Sequence, residues 1–174
     1  TAKWGIHIDE AKDILAKNRF EKLPLVDDEF RLRGLITAKD IIKRQMHFRA
    51  AKDKKGRLLV GAAIGIKAGF LERTEALLEA GVDCLVIDIA HGHAEQTIQV
   101  IKIIKQQFGT VEIIAGNVAT AQATKDLIDA GADAIKVGVG PGAVCTTRIV
   151  TGCGVPQLTA VMDAVSVAKG YNIL

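Results

Sequence analysis

Leu78-Glu79-Ala80-Gly81-Val82-Asp83 and Ile128-Asp129-Ala130-Gly131-Ala132-Asp133 are near-copies of one another. Each closes an amphipathic stretch and opens an apolar one. A glycine placed after a run of helix formers marks a helix C-terminus, because the left-handed turn there strains any residue that carries a Cβ. Phe108-Gly109 makes a third joint of the same kind. Working outward, helices are expected over about residues 70–80, 94–107 and 119–130, with apolar strands at Leu58–Ile64, Cys84–Ala90, Ile113–Ala115 and Ala134–Val139. Strand and helix alternating at this period imply right-handed parallel crossovers. A (β/α)8 barrel and a doubly wound sheet both satisfy that rule. The barrel is preferred because every strand runs into a polar or glycine-rich loop: Gly65, Asp88 to Gly92, Gly116-Asn117, and Gly140 to Cys145. Barrels collect their chemistry at those strand ends. The expected fold is therefore α/β, a partial (β/α)8 TIM barrel of about four β/α units.

The residues before this region follow another plan. Residues 8–19 have helical spacing, with Ile8, Ala11, Ile14 and Leu15 on one face. Leu23 to Val26 and Leu32 to Ile36 read as short strands around the turn Asp27-Asp28-Glu29, and Thr37 as the N-cap of a following helix. Residues 1–57 carry 15 Lys and Arg against 9 Asp and Glu, and hold only 3 of the 17 glycines. Residues 58–174 carry 8 basic residues against 11 acidic ones. Two modules meeting near Lys54-Lys55-Gly56 account for the shift: a small one over 1–50, a linker over 51–57, and the barrel segment over 58–174.

Composition narrows the function. The chain of 174 residues is 49% hydrophobic but only 4% aromatic, so its core is aliphatic. A net charge of +3 is too small to argue for nucleic acid or a membrane surface, and no apolar run approaches a membrane span. The three cysteines, Cys84, Cys145 and Cys153, form no C-x-x-C pair, which points to a reduced, cytoplasmic setting. The chain opens on Thr1 within structured-looking sequence, and is expected to begin partway through a longer protein.

The chemistry concentrates in Gly140-Pro141-Gly142-Ala143-Val144-Cys145-Thr146-Thr147-Arg148. Two glycines and a proline bend the backbone after the strand, and a thiol follows with hydroxyls and an arginine beside it. A thiol attacks as thiolate, and cations or N–H groups nearby favour that form. Most cysteines are small core residues; here the neighbours are not core residues, so a reactive Cys145 is favoured. Cys84, inside an apolar strand, reads as core. The glycines from Gly138 to Gly142 make either a tight turn or a backbone cradle for a ligand. Asp88 is either a cap or an acceptor for ribose hydroxyls, and Asn117, Thr147 and Arg148 either ordinary loop residues or neighbours of the reacting group. His91 and His93 could ligate a metal, but only with carboxylates or thiolates to complete the set.

Gly138 to Gln157 closely resembles the catalytic segment of the inosine 5′-monophosphate (IMP) dehydrogenase family. Leu58–Gly65, Asp88 to His93 and Ala115 to Thr120 resemble that family's strands and loops in the same order. Glu21 to Asp27 and Gly34 to Thr37 resemble the end of its inserted CBS pair, which makes residues 1–50 a partial CBS module. The resemblance implies addition of the Cys145 thiolate to C2 of IMP, hydride transfer to NAD, and hydrolysis of the covalent thioimidate to xanthosine monophosphate (XMP). It implies that Thr147 assists at the reacting centre and that Ala143 and Cys145 meet the substrate. Asp88, Asn117 and the strand end Gly138-Val139-Gly140 would line the cofactor site, with Asp88 on the NAD ribose. The carbonyls of Gly140, Gly142 and Cys145 would hold K+. It also implies a homotetramer in the full-length protein and an adenine or guanine nucleotide at the CBS module.

The family usually has serine at Ala143, where the hydroxyl binds the IMP phosphate; its loss is expected to weaken that contact by about 1.5–3 kcal/mol. With the remaining strands and the water-activating flap beyond Leu174, this chain alone is expected to be inactive. Three rivals stand: a GMP reductase-like enzyme, which shares much of the cysteine loop, a nucleotide-sensing CBS module without catalysis, and a metal-dependent hydrolase built on His91 and His93.

Overall fold

A computed structural model describes residues 1–54, 56–171 and 173. Lys55 of the expected linker, and Asn172 and Leu174 at the end of the expected barrel segment, lie outside the described residues. The chain divides into two compact units, Thr1–Leu58 and Leu59–Leu174.

The first unit contains β1 (Ala2–Lys3), α1 (Ile8–Asn18), β2 (Lys22–Val26), β3 (Leu32–Thr37) and α2 (Ala38–Met46). Its sheet order is β1-β2-β3, with β1 parallel and β3 antiparallel to β2. Ala11 and Leu15, one turn apart on α1, meet Leu23 and Leu25 on one face of β2 and Ile41 of α2. The hairpin turns at Asp27, whose carboxylate accepts the backbone N–H groups of Glu29 and Arg31 at 3.1 and 2.8 Å. Thr37 and Asp40 form a reciprocal capping box at the start of α2. The two-residue β1 carries no periodicity to read and went unanticipated.

The second unit contains β4 (Gly61–Ile64), α3 (Phe70–Glu79), β5 (Cys84–Asp88), α4 (Glu95–Phe108), β6 (Glu112–Val118), α5 (Ala121–Asp129), β7 (Ala134–Val137), α6 (Thr147–Thr151) and α7 (Gln157–Tyr171). The sheet is wholly parallel, in order β4-β5-β6-β7. This is the mixed α/β architecture of a partial barrel. One face of the sheet, with Leu85, Ile87, Ile113 and Ala115, is buried under Val100, Ile101 and Ile104 of α4 and Leu127 of α5. Each fully buried Leu or Ile there contributes about 1.5–3 kcal/mol. The opposite face carries the rows Val86–Ile114–Ala134 and Asp88–Gly116–Lys136 and is only partly covered.

The repeated joints explain how the sheet registers itself. Gly81 and Gly131 adopt φ of +85° and +112°. At each, the glycine N–H and the next N–H return to the helix, to Leu78 and Leu77 in one joint and Ile128 and Leu127 in the other. The aspartate two residues later then grips the preceding strand twice. Asp83 N–H donates to the Val60 carbonyl at 2.9 Å while its carboxylate accepts the Val60 N–H at 2.8 Å. Asp133 does the same with Ile113, at 2.9 and 2.7 Å.

Element ends differ from the sequence expectation for physical reasons. β4 begins only at Gly61, because its ladder to β5 starts at the Gly61–Cys84 pair and Val60 before it is held by Asp83; Leu58 instead bridges Lys52. β6 continues through Gly116 and Asn117, which read as loop, because β5 and β7 pair with its backbone on both sides. β7 stops at Val137, since Gly138 turns away at φ +137°.

Candidate functional site

Three strand ends meet at one cavity of about 360 Å³. Asp88 ends β5 and Asn117 lies near the end of β6; beyond β7, the loop from Gly138 returns as Cys145 and Thr147. Asp88, Asn117, Lys136, Gly138, Cys145 and Thr147 are among its lining residues, as are Val139 and Gly140. The expected site residues that do not line it are Gly142 and Ala143, both exposed on the outer part of the loop.

The cysteine loop is pinned at its base. Val155 N–H donates to the Val139 carbonyl at 3.0 Å, and the Gln157 side-chain amide donates to the Val137 carbonyl at 3.0 Å. Gly140 and Gly154 pack backbone to backbone: a Cβ on Gly140 would lie 2.9 Å from the Gly154 Cα. A Cβ on Gly138 would lie 2.6 Å from the Gln157 side-chain oxygen. Both glycines also have positive φ, so the loop needs glycine there on two counts.

Cys145 is half-buried and lines the cavity, with its Sγ 3.4 Å from the Thr147 Oγ1. Its thiol is held below the usual range first by the Thr147 hydroxyl and then by the Thr147 backbone N–H. Partial burial opposes them, while the Gly140 backbone and the Arg148 charge add to them. Cys84 is the opposite case: half-buried at the start of β5, it is pushed up by burial and by the nearby charges of Asp83 and Glu112. Of the two, only Cys145 has the environment of a nucleophile.

Lys136 is the site residue that sequence reasoning missed. Its ammonium lies 2.7 Å from Asp88 Oδ1 and 3.0 Å from Asn117 Oδ1. The signal was present, as a lone charge inside the otherwise apolar run Ala134–Val139. Gly154 and Gln157, which anchor the loop, carried no signal beyond their place in the resembling segment. His93 pairs with Asp126 at 2.8 Å, His91 is exposed, and no group of three His, Cys, Asp or Glu among the described residues could hold a metal ion.

A larger cavity of about 1080 Å³ lies in the first unit. Lys43, Arg44, His47 and Arg49 ring it, beside Leu35 and Phe48. Among the described residues its lining has no cysteine, serine or threonine, and its basic and aromatic side chains suit an anion and a flat ring.

The family model described as IMP dehydrogenase / GMP reductase domain matches residues 16–174. The chain is 59% identical over 173 residues to the inosine-5'-monophosphate dehydrogenase of Nitrosopumilus maritimus, covering 99% of this chain and 36% of that protein. It is 57% identical over 173 residues to the enzyme of the same name from Aquifex aeolicus, covering 99% and 35%. The chain thus spans about a third of the length of these curated relatives. A cysteine-to-alanine variant of GMP reductase from Trypanosoma brucei superposes with a TM-score of 0.78 at 43% identity, covering 99% of this chain and 40% of that one.

Proposed function

The chain belongs to the IMP dehydrogenase / GMP reductase domain family, and on that premise we propose that the protein it represents oxidises IMP to XMP with NAD+. The observation that carries the reading is Cys145: a thiol held below its usual range, facing a cavity at the ends of parallel strands.

In this reading the Cys145 thiolate adds to C2 of the purine. The dinucleotide supplies one thing, the acceptor for the hydride that leaves C2. Water then bonds to C2 of the thioimidate, the C2–sulfur bond breaks, and XMP departs with Cys145 restored as thiol or thiolate. The Thr147 hydroxyl donates to the sulfur when it is ionised, and the pinned loop keeps it facing the cavity.

The residues present suit a dinucleotide. Asp88 gives Oδ1 to Lys136 and keeps Oδ2 for ribose hydroxyls. The Gly138-Val139-Gly140 backbone offers a wall without side chains at either glycine, and Asn117 stands beside it. For K+, the donor set is the carbonyls of Gly140, Gly142 and Cys145. Neutral hard oxygens without a carboxylate suit a monovalent cation, and the Gly142 carbonyl, which accepts the Cys145 N–H at 3.1 Å, has one lone pair left. Ala143, on the same loop, stands at the position proposed to face the IMP phosphate, where its methyl offers no hydrogen bond.

The same proposal covers the first unit, read as the end of a CBS module. The basic, partly apolar cavity there suits an adenine or guanine nucleotide. It extends to a cytoplasmic homotetramer for the whole protein, and to inactivity of this chain on its own. Among the described residues no helix is long and apolar enough to cross a membrane.

The test is full-length protein assayed with IMP and NAD+, and separately with GMP and NADPH. XMP formation is expected, abolished by Cys145→Ala with IMP binding largely retained. Normal turnover of that variant rejects the nucleophile. IMP formation from GMP, without XMP from IMP, assigns the protein to the reductase branch.

A further inference from the structure

Among the described residues, Lys136 is the only cation that lines the smaller cavity. Asp88 pairs with Gly116 in the β5–β6 ladder, and Gly116 with Lys136 in the β6–β7 ladder. Asp88 and Lys136 are therefore two strand spacings apart, about 10 Å between backbones. The bridge between them is possible because the middle residue is glycine. A Cβ on Gly116 would collide first with the Lys136 carbonyl oxygen and then come 2.7 Å from the Lys136 Cβ. With that space open, the lysine spans a whole strand to reach Asp88 Oδ1 at 2.7 Å. The register slips between Gly116 and Val118, leaving Asn117 as an extra residue whose side chain joins the same cluster. Lys136 holds Asn117 Oδ1 at 3.0 Å, and Asn117 Nδ2 donates to the Gly138 carbonyl at 2.9 Å.

We propose that Lys136 is a positioning residue for the dinucleotide: it fixes the Asp88 carboxylate for the ribose and, through Asn117, the backbone at the root of the cysteine loop. The proposal rests on the NAD-dependent reading above. A purely structural ion pair is a poor alternative, because its side chains are 42% and 47% exposed and such pairs add little to stability. The weight of Lys136 should fall on ligand affinity instead.

The test uses full-length protein and NAD+ alone, titrated calorimetrically so that no turnover occurs. Lys136→Met is expected to weaken NAD+ binding about tenfold, the loss of one charge-assisted contact, with an unchanged melting temperature. In turnover the change should appear in KM for NAD+ rather than in kcat. Lys136→Gln should lose affinity similarly, and Lys136→Arg should recover most of it. In an Asp88→Ala background, Lys136→Met should cost clearly less than it does in the wild type, the remainder passing through Asn117. Wild-type affinity in Lys136→Met, or an equal loss in the Asp88→Ala background, overturns the proposal. If the wild type forms XMP, that failure concerns Lys136 alone. A wild type that neither binds NAD+ nor forms XMP removes the functional reading and this proposal together.

Discussion

At the scale of single residues, the site turns on how a thiol is kept ready. Thr147 contributes most to lowering the Cys145 thiol, ahead of the Arg148 charge that the sequence made conspicuous. Hydroxyl contact at two residues' distance outranks an exposed guanidinium, whose field water screens. The pH dependence follows directly. A depressed thiol is ionised at lower pH, so the alkylation rate of Cys145 by iodoacetamide should reach its plateau below the pH of an ordinary cysteine. Thr147→Val should shift that curve upward and slow alkylation at neutral pH, with Cys84 slower than either. An unshifted curve in Thr147→Val would remove Thr147 from the account. Cys145 stood out in the sequence because its neighbours are glycine, threonine and arginine. Lys136 did not, because its meaning depends on Gly116 in the adjoining strand and on Asp88 one strand beyond, contacts that no local pattern encodes.

At the scale of elements, helix-to-strand joints do more than turn the chain. Asp83 and Asp133 occupy the same place in the two repeats, yet their burdens differ. Asp133 satisfies the N–H of Ile113, which is fully buried, and also takes the Lys105 ammonium at 2.6 Å. Asp83 satisfies Val60, which is 58% exposed and can turn to water instead. Asp133→Ala should therefore cost about 1–3 kcal/mol in denaturant unfolding, the penalty for an orphaned buried donor, and Asp83→Ala clearly less. Equal costs would mean that the repeat is one of sequence only. The joints themselves were readable because glycine at a helix end has a single strong conformational cause. The two helices after the cysteine, α6 and α7, were not anticipated. Five residues are too few for α6 to show a periodicity, and α7 buries only small alanines, Ala160, Ala164 and Ala168, while Leu158 and Met162 face outward. A helix whose buried stripe is alanine gives the hydrophobic pattern little contrast.

At the scale of the whole molecule, the second of the two units is built on one parallel sheet with a covered face and a working face. The alternation of Leu85 and Ile87 with Val86 and Asp88 sends alternate residues to opposite sides. Hydrophobic packing fixes one side, and the freedom left on the other is where Asp88, Lys136 and the cysteine loop converge. In that unit, strand number, parallel order and the polar strand ends could all be read from the chain because they follow from period and turn chemistry. The pinning of the loop by Gly154, Val155 and Gln157 could not, since it joins backbone groups across more than a dozen residues. The proposed function depends on Cys145 forming a bond to the purine. The direct measurement is mass spectrometry of full-length protein, acid-quenched during turnover with IMP and NAD+ and digested. A purine-nucleotide adduct on the peptide carrying Cys145 is the expected result. XMP accumulating with that peptide unmodified, or with the adduct on another residue, would contradict it.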